Sequence, residues 1–128
     1  MAGFTNYCED KIMNCFFEAT NITAPANLSV GLFTTITDAE AGTVTEVSGG
    51  SYARQTVAPA GWTTANGATT NASAITFPTA TASWGTVVGA GLYDGTNWIV
   101  IQTLGTSKLV DINDTFQIAA GDFDVSLD

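Results

Sequence analysis

Any chemistry in this chain would have to proceed without histidine, with three basic residues and twelve acids. Lacking imidazole, it has no Ser–His pair, no side chain whose ordinary charge change falls near neutral pH, and none of the commonest zinc ligand. The acids could supply the carboxylate pair of a glycosidase, but they fall at loops and strand ends, where solvated turn residues belong. Asp111 with Asn113 and Asp114, and Asp122 with Asp124, could offer oxygen ligands to calcium. Neither cluster has the spacing of a calcium loop. Gly89 and Gly91 precede no helix and so make no phosphate loop. Trp62, Trp84 and Trp98 could stack on sugar rings, as in a carbohydrate-binding module; packing in a core or an interface is the competing use. Arg54 reads either as a solvated strand residue or as half of a bidentate pair with a carboxylate, within the chain or across a subunit boundary. No cofactor or metal is expected, and an enzyme is not.

The elements that must position these residues begin with one helix. Asn6 can cap it, Glu9 can complete a capping box, and Cys8, Ile12, Cys15, Phe16 and Ala19 share one face. On that helix the two cysteines lie about 10 Å apart, beyond the roughly 7 Å a disulfide spans, so both read as small buried hydrophobes. After Pro25 the pattern turns to strands. Leu28, Val30 and Leu32 alternate with small residues; short strands follow at 44–47, 52–57 and 74–77; a long loop fills 58–70. Asp94-Gly95 joins strands 86–93 and 96–104 as a hairpin. Strands at 109–110 and 116–120 flank Asn113-Asp114. The last strand buries Phe123, Val125 and Leu127 and turns Asp122, Asp124, Ser126 and Asp128 outward.

Seven or eight short strands with one helix predict a mainly β fold, an antiparallel β-sandwich of jelly-roll type with an N-terminal α-helix. The expected organisation is a single domain over 1–128, with the helix within 4–20 and the sandwich over 26–128. Trp98-Ile99-Val100-Ile101 is apolar on both faces, so both faces should be covered. In "ITFPTATASWGTV", residues 75–87, Pro78 stops a strand and small residues lead to Trp84. So neutral a connection should lie against something.

Charged residues make up only 12% of the chain against 45% hydrophobic ones, with a net charge of −9. Nucleic acid is bound by replacing phosphate counterions with Lys and Arg, and no basic patch exists to do so. The same argument excludes an anionic membrane surface. The first ten residues lack the basic and apolar runs of a signal peptide, so cytoplasmic synthesis is expected. The sequons at Asn21, Asn27, Asn71 and Asn113 are what a Thr-, Ser- and Asn-rich chain produces by chance.

Five stretches, "NYCEDKIMNCFF", "APANLSVGLFTT", "TEVSGGSYARQTV", "NASAITFPTATASWGTVVGAGLYDG" and "NDTFQIAAGDFDVSLD", occur in this order. They resemble small virion proteins of tailed bacteriophages, many of which carry the name phage tail fiber protein. "GGSYARQ" and "ITFPTATASWG" are the specific motifs; "VGAGLYDG" departs from the family's bulkier "TxFGLFD". The resemblance implies a structural protein of the virion. With no fibrous repeat in view, the expected role is capsid decoration: a cement protein bridging capsomers of the major capsid protein as a homotrimer. A tail fiber or tail-tip role is the alternative. Ile12, Phe16, Trp84, Trp98, Val100 and Arg54 are the expected interface residues.

Overall fold

The computed structural model describes residues 2–127, so Asp128, expected as the last outward residue of the final strand, lies outside the described residues. The chain runs β1 (Ala2–Phe4), α1 (Asn6–Phe17), β2 (Leu28–Asp38), β3 (Thr43–Glu46) and β4 (Gln55–Val57). A single 3-10 turn at Pro59–Gly61 leads into β5 (Trp62–Ala65), followed by β6 (Ala68–Asn71) and β7 (Ile75–Thr76). Then come β8 (Gly85–Tyr93), β9 (Trp98–Val110), β10 (Gln117–Ile118) and β11 (Asp124–Ser126). Every strand pairing is antiparallel.

The fold is mainly β, with sheets packed as in a sandwich. One sheet of six strands runs β1-β9-β8-β2-β3, with β4 also on β2. A three-stranded sheet, β11-β6-β5, and the pair β10-β7 complete it. Val30, Leu32, Ala90, Leu92 and Val100 of the large sheet share one buried cluster with Ile75, Ile118 and Val125 of the smaller ones and with Phe123 just before β11. The alternation at 28–32 and 123–125 is thus the core face of each layer.

Several expected boundaries move for identifiable reasons. The helix is capped by Thr5, not Asn6: the Thr5 hydroxyl accepts from the Cys8 N–H at 3.4 Å and donates to the Trp98 carbonyl at 2.8 Å. That second bond is remote in sequence and holds the helix start against β9. Residues 2–4, just before it, are a strand on β9. Within the expected loop 58–70 lies a hairpin, β5-β6, turned by Asn66 and Gly67 with φ of 52° and 77°, the left-handed pair such a two-residue turn requires. The β8–β9 connection spans Asp94 to Asn97, with the Asp94 carboxylate accepting from the N–H groups of Thr96 and Asn97. β9 absorbs the expected strand at 109–110. Its register against β8 jumps from Thr103 to Lys108 while β8 advances only from Gly89 to Val87, so the intervening residues buckle out. Leu127, expected inside, is exposed.

Candidate functional site

Three features collect the residues with functional potential. The first is a clasp on the far edge of β2. There β4 pairs with Leu28–Val30, and β3 ends opposite Phe33. The gap between them is closed by the Tyr52 hydroxyl, which accepts from the Leu32 N–H at 2.8 Å, while the Leu32 carbonyl accepts from the Val47 N–H. Tyr52 in turn donates to Glu46 at 2.7 Å, and Glu46 holds Arg54 in two parallel bonds of 2.8 and 2.7 Å. Arg54 is therefore paired within its own chain. Its guanidinium lies 4.0 Å from the ring centre of Tyr93 and 4.9 Å from that of Trp98, a cation–π arrangement.

Burial pushes the Tyr52 hydroxyl up from its ordinary pKa, with the Glu46 carboxylate adding to the effect. The hydrogen bonds to Glu46 push Arg54 up as well. The clasp is a fixed charge pair over a neutral phenol, built to hold position. With Arg54 partly exposed, the ion pair contributes at most about 1 kcal/mol.

Trp98 reaches across the outer face of the sheet because Gly31 leaves room for it. A Cβ at Gly31 would sit 2.5 Å from the Trp98 ring. Phe33, fully buried on the same face, meets Trp98 edge-on at 4.7 Å. Both faces of the apolar run 98–101 are thus covered by the chain itself: Val100 enters the main core at 1% exposure, and Ile101 lies buried opposite Gly91 on the outer face. The expectation of Val100 as an interface residue is corrected accordingly.

The second feature is the meeting of the two most specific motifs. The stretch 75–87 does lie against something, namely its own chain. The Thr81 N–H and the Trp84 indole N–H both donate to the Gly50 carbonyl, at 3.0 and 2.9 Å. Ala80 exchanges backbone bonds with Asn113 and Asp114. Trp84 packs edge-on against Tyr52 at 5.4 Å, and Tyr52 stacks on Phe77 at 6.1 Å. "GGSY" and "FPTATASW" are therefore two halves of one packing unit that ends in the clasp. Trp84, 5% exposed, belongs to the core, which corrects its expected interface role. Sugar stacking loses Trp84 for the same reason, and Trp98 is already stacked with Arg54.

The third feature is α1. None of its residues is buried. Ile12 is half-buried and lines a groove of about 300 Å³ with Tyr7, Ile22, Pro25 and Ile99. Phe16, placed by its spacing on the same apolar face, instead projects into solvent at 81% exposure, with Phe17 at 77%. Their pairing was hidden in the sequence because Phe17 falls off the face defined by Cys8, Ile12 and Cys15. Of the six expected contact residues, Trp84 and Val100 are buried, Arg54, Trp98, Ile12 and Phe16 are half-buried or exposed, and Arg54 lies over the Trp98 ring.

Of the acids weighed above as oxygen donors to calcium, Asp111 and Asp114 serve their own turn: the Asp111 N–H donates to the Asp114 carboxylate, and the Ile112 N–H to the Asp111 carboxylate. Among the described residues no group of three or more His, Cys, Asp or Glu is placed to hold a metal ion. Both cysteines are free thiols. Asn71 is buried, its amide donating to the carbonyls of Ser73 and Ala119 and accepting from the Phe123 N–H. It is a structural strut, sealed from glycosylation. No described helix is long and apolar enough to cross a membrane.

These features define a β-sandwich whose polar residues fasten the fold and whose one helix turns Met13, Phe16 and Phe17 to solvent. The chain belongs to the family described as podophage GP4 fiber I protein gp80, whose model matches residues 3–126. It is a phage virion structural protein. No curated protein matches the chain.

Proposed function

We propose that this protein is a structural subunit of the phage tail fiber, joined to its neighbours by protein–protein contacts and performing no reaction. The observation that carries this reading is the fiber family match, which extends from β1 through β11 and so takes in the helix, both motifs and the clasp. It supports the tail alternative over the capsid-decoration role expected from the sequence. That role also loses two of its six expected contact residues, because Trp84 and Val100 pack inside the subunit.

The fold suits the task. A sandwich locked by Trp84, Tyr52 and Asn71 transmits load through a rigid body, since close-packed interiors deform little. Low charge leaves a surface of Thr, Ser and Ala that can lie against another neutral surface without desolvating ions. Absolute quantification of the chain in purified virions tests the reading. A handful to a few tens of copies per particle supports a fiber subunit. Hundreds, in proportion to the major capsid protein, would overturn it in favour of decoration.

A further inference from the structure

Asn66 is the one asparagine of this chain that a glycine follows. The pair makes the two-residue turn of the β5-β6 hairpin, and both residues are exposed. The amide carbon of an asparagine side chain can be attacked by the backbone nitrogen of the next residue, and a side chain on that residue obstructs the approach. Glycine has none. The space around Gly67 is open too: a Cβ there would meet nothing closer than the Leu127 carbonyl oxygen at 3.4 Å. Among the described residues, none is hydrogen-bonded to the Asn66 side chain or to the Gly67 N–H. Comparable groups elsewhere are held. Asn71 is buried with three hydrogen bonds. At Asp94-Gly95, where the same ring closure would start from a carboxylate, the oxygens accept from Tyr7, Thr96 and Asn97.

We propose that Asn66 is a site of spontaneous modification, at which the folded chain converts its own side-chain amide to a carboxylate. The Gly67 nitrogen forms a bond to Cγ of Asn66 while the Cγ–Nδ2 bond breaks. Ammonia leaves, carrying the proton that the Gly67 nitrogen gives up, and a five-membered succinimide remains. Water then opens the ring. Breaking the new nitrogen–Cγ bond leaves an aspartate on the original backbone. Breaking the original peptide bond leaves an isoaspartate, with the chain rerouted through the side chain and one methylene longer. Water is the only reagent required. The tip of a hairpin is also where local opening costs least. The consequence is structural. Asn66 and Gly67, at φ 52° and 77°, set Ala65 opposite Ala68, and a turn of fixed length sets that register. The Gly67 carbonyl accepts the Leu127 N–H at 2.9 Å, just past the pairing of β11 with β6. An isoaspartate therefore loosens the end of β11 as well as the turn. Either product adds a negative charge to a chain already at −9.

The test holds the full-length wild type in mildly alkaline buffer at physiological temperature for weeks and weighs its proteolytic peptides at intervals. Conversion at Asn66, read as a gain of one mass unit, should run at least about tenfold faster than at Asn71 or Asn113, a barrier lower by about 1.4 kcal/mol. Anion exchange should resolve the product as a more acidic species. Asn66→Gly keeps a turn-forming pair and should lose that species with an unchanged circular dichroism spectrum. Hydrogen exchange over 62–71 and 124–127 should be several-fold faster in the isolated isoaspartyl product than in fresh protein. Faster conversion at another asparagine would overturn the proposal. So would a folded chain that stays unmodified at Asn66 while the same chain in guanidinium converts, since the turn would then be a shield. An acidic species undiminished in Asn66→Gly would overturn the assignment to this residue, and unchanged exchange would overturn the effect on β11.

Discussion

Gly50 is where the packing of the two motifs can be tested with a single methyl group. It sits at φ +56°, and a Cβ there would lie 2.8 Å from both the Ala82 carbonyl oxygen and the Trp84 indole nitrogen. Gly49, its neighbour, has φ +76° and open space around the same position. Alanine at either site incurs the left-handed backbone cost of about 1 kcal/mol. Only at 50 must Trp84 also move. That movement breaks the 2.9 Å bond from its indole N–H to the Gly50 carbonyl and leaves a buried donor unpaired, which costs about 1–3 kcal/mol more. Gly50→Ala should therefore destabilise by about 2–4 kcal/mol and Gly49→Ala by about 1. Urea unfolding followed by tryptophan fluorescence reads the difference: with a slope of about 1–3 kcal/mol per molar, the midpoints separate by roughly 1 M. Equal midpoints for the two variants would show that the Gly50–Trp84 contact contributes nothing and refute the reasoning.

Tyr52 predicts an alkaline stability loss. Its folded pKa is raised, so above the unfolded value of about 10 the unfolded chain has released a proton that the folded chain keeps, and ΔG of unfolding falls as pH rises. Stability measured from pH 9 to 11 should decline less steeply in Tyr52→Phe than in the wild type; identical slopes would contradict the burial argument. Asn71→Leu removes three hydrogen bonds from a sealed site and should cost about 2–4 kcal/mol, read as a fall in Tm of roughly 10 °C. Phe16→Asp should leave Tm of the isolated chain within about 1–2 °C, because the side chain is already in water; a collapse of Tm would make the helix part of the core. Arg54→Lys keeps the charge but loses the bidentate bond and the stacking. It should cost about 0.5–1 kcal/mol by the same urea assay, and a neutral result would remove the clasp as a contributor.

How much of this was legible follows from the range of each interaction. The helix, the antiparallel strands and the core faces come from local periodicity, which Cys8, Ile12 and Cys15 or Val30 and Leu32 display directly. The β5-β6 hairpin was legible too, in Asn66-Gly67, but Thr and Ala on both sides supplied no apolar alternation to draw attention to it. The cap moved from Asn6 to Thr5 because Thr5 also bonds Trp98, ninety-three residues away, and no local rule contains that partner. Arg54 had two open readings, and only the placement of β3 and β4 along one edge of β2 brings Glu46 beneath it. Two-sided apolarity in 98–101 correctly called for cover on both faces. The cover came from within, because Gly31 and Gly91 let Trp98 and Phe33 lie over the sheet. Phe16 went the other way: its spacing matched the inward face, but the helix meets the body over only a narrow side and leaves it exposed.

Placement on the particle tests the central claim most directly. Gold-labelled antibody against this chain, applied to intact virions and viewed by electron microscopy, should mark the fibers at the tail and leave the head bare. Label spread over the head, with none at the tail, would contradict the assignment as a fiber subunit.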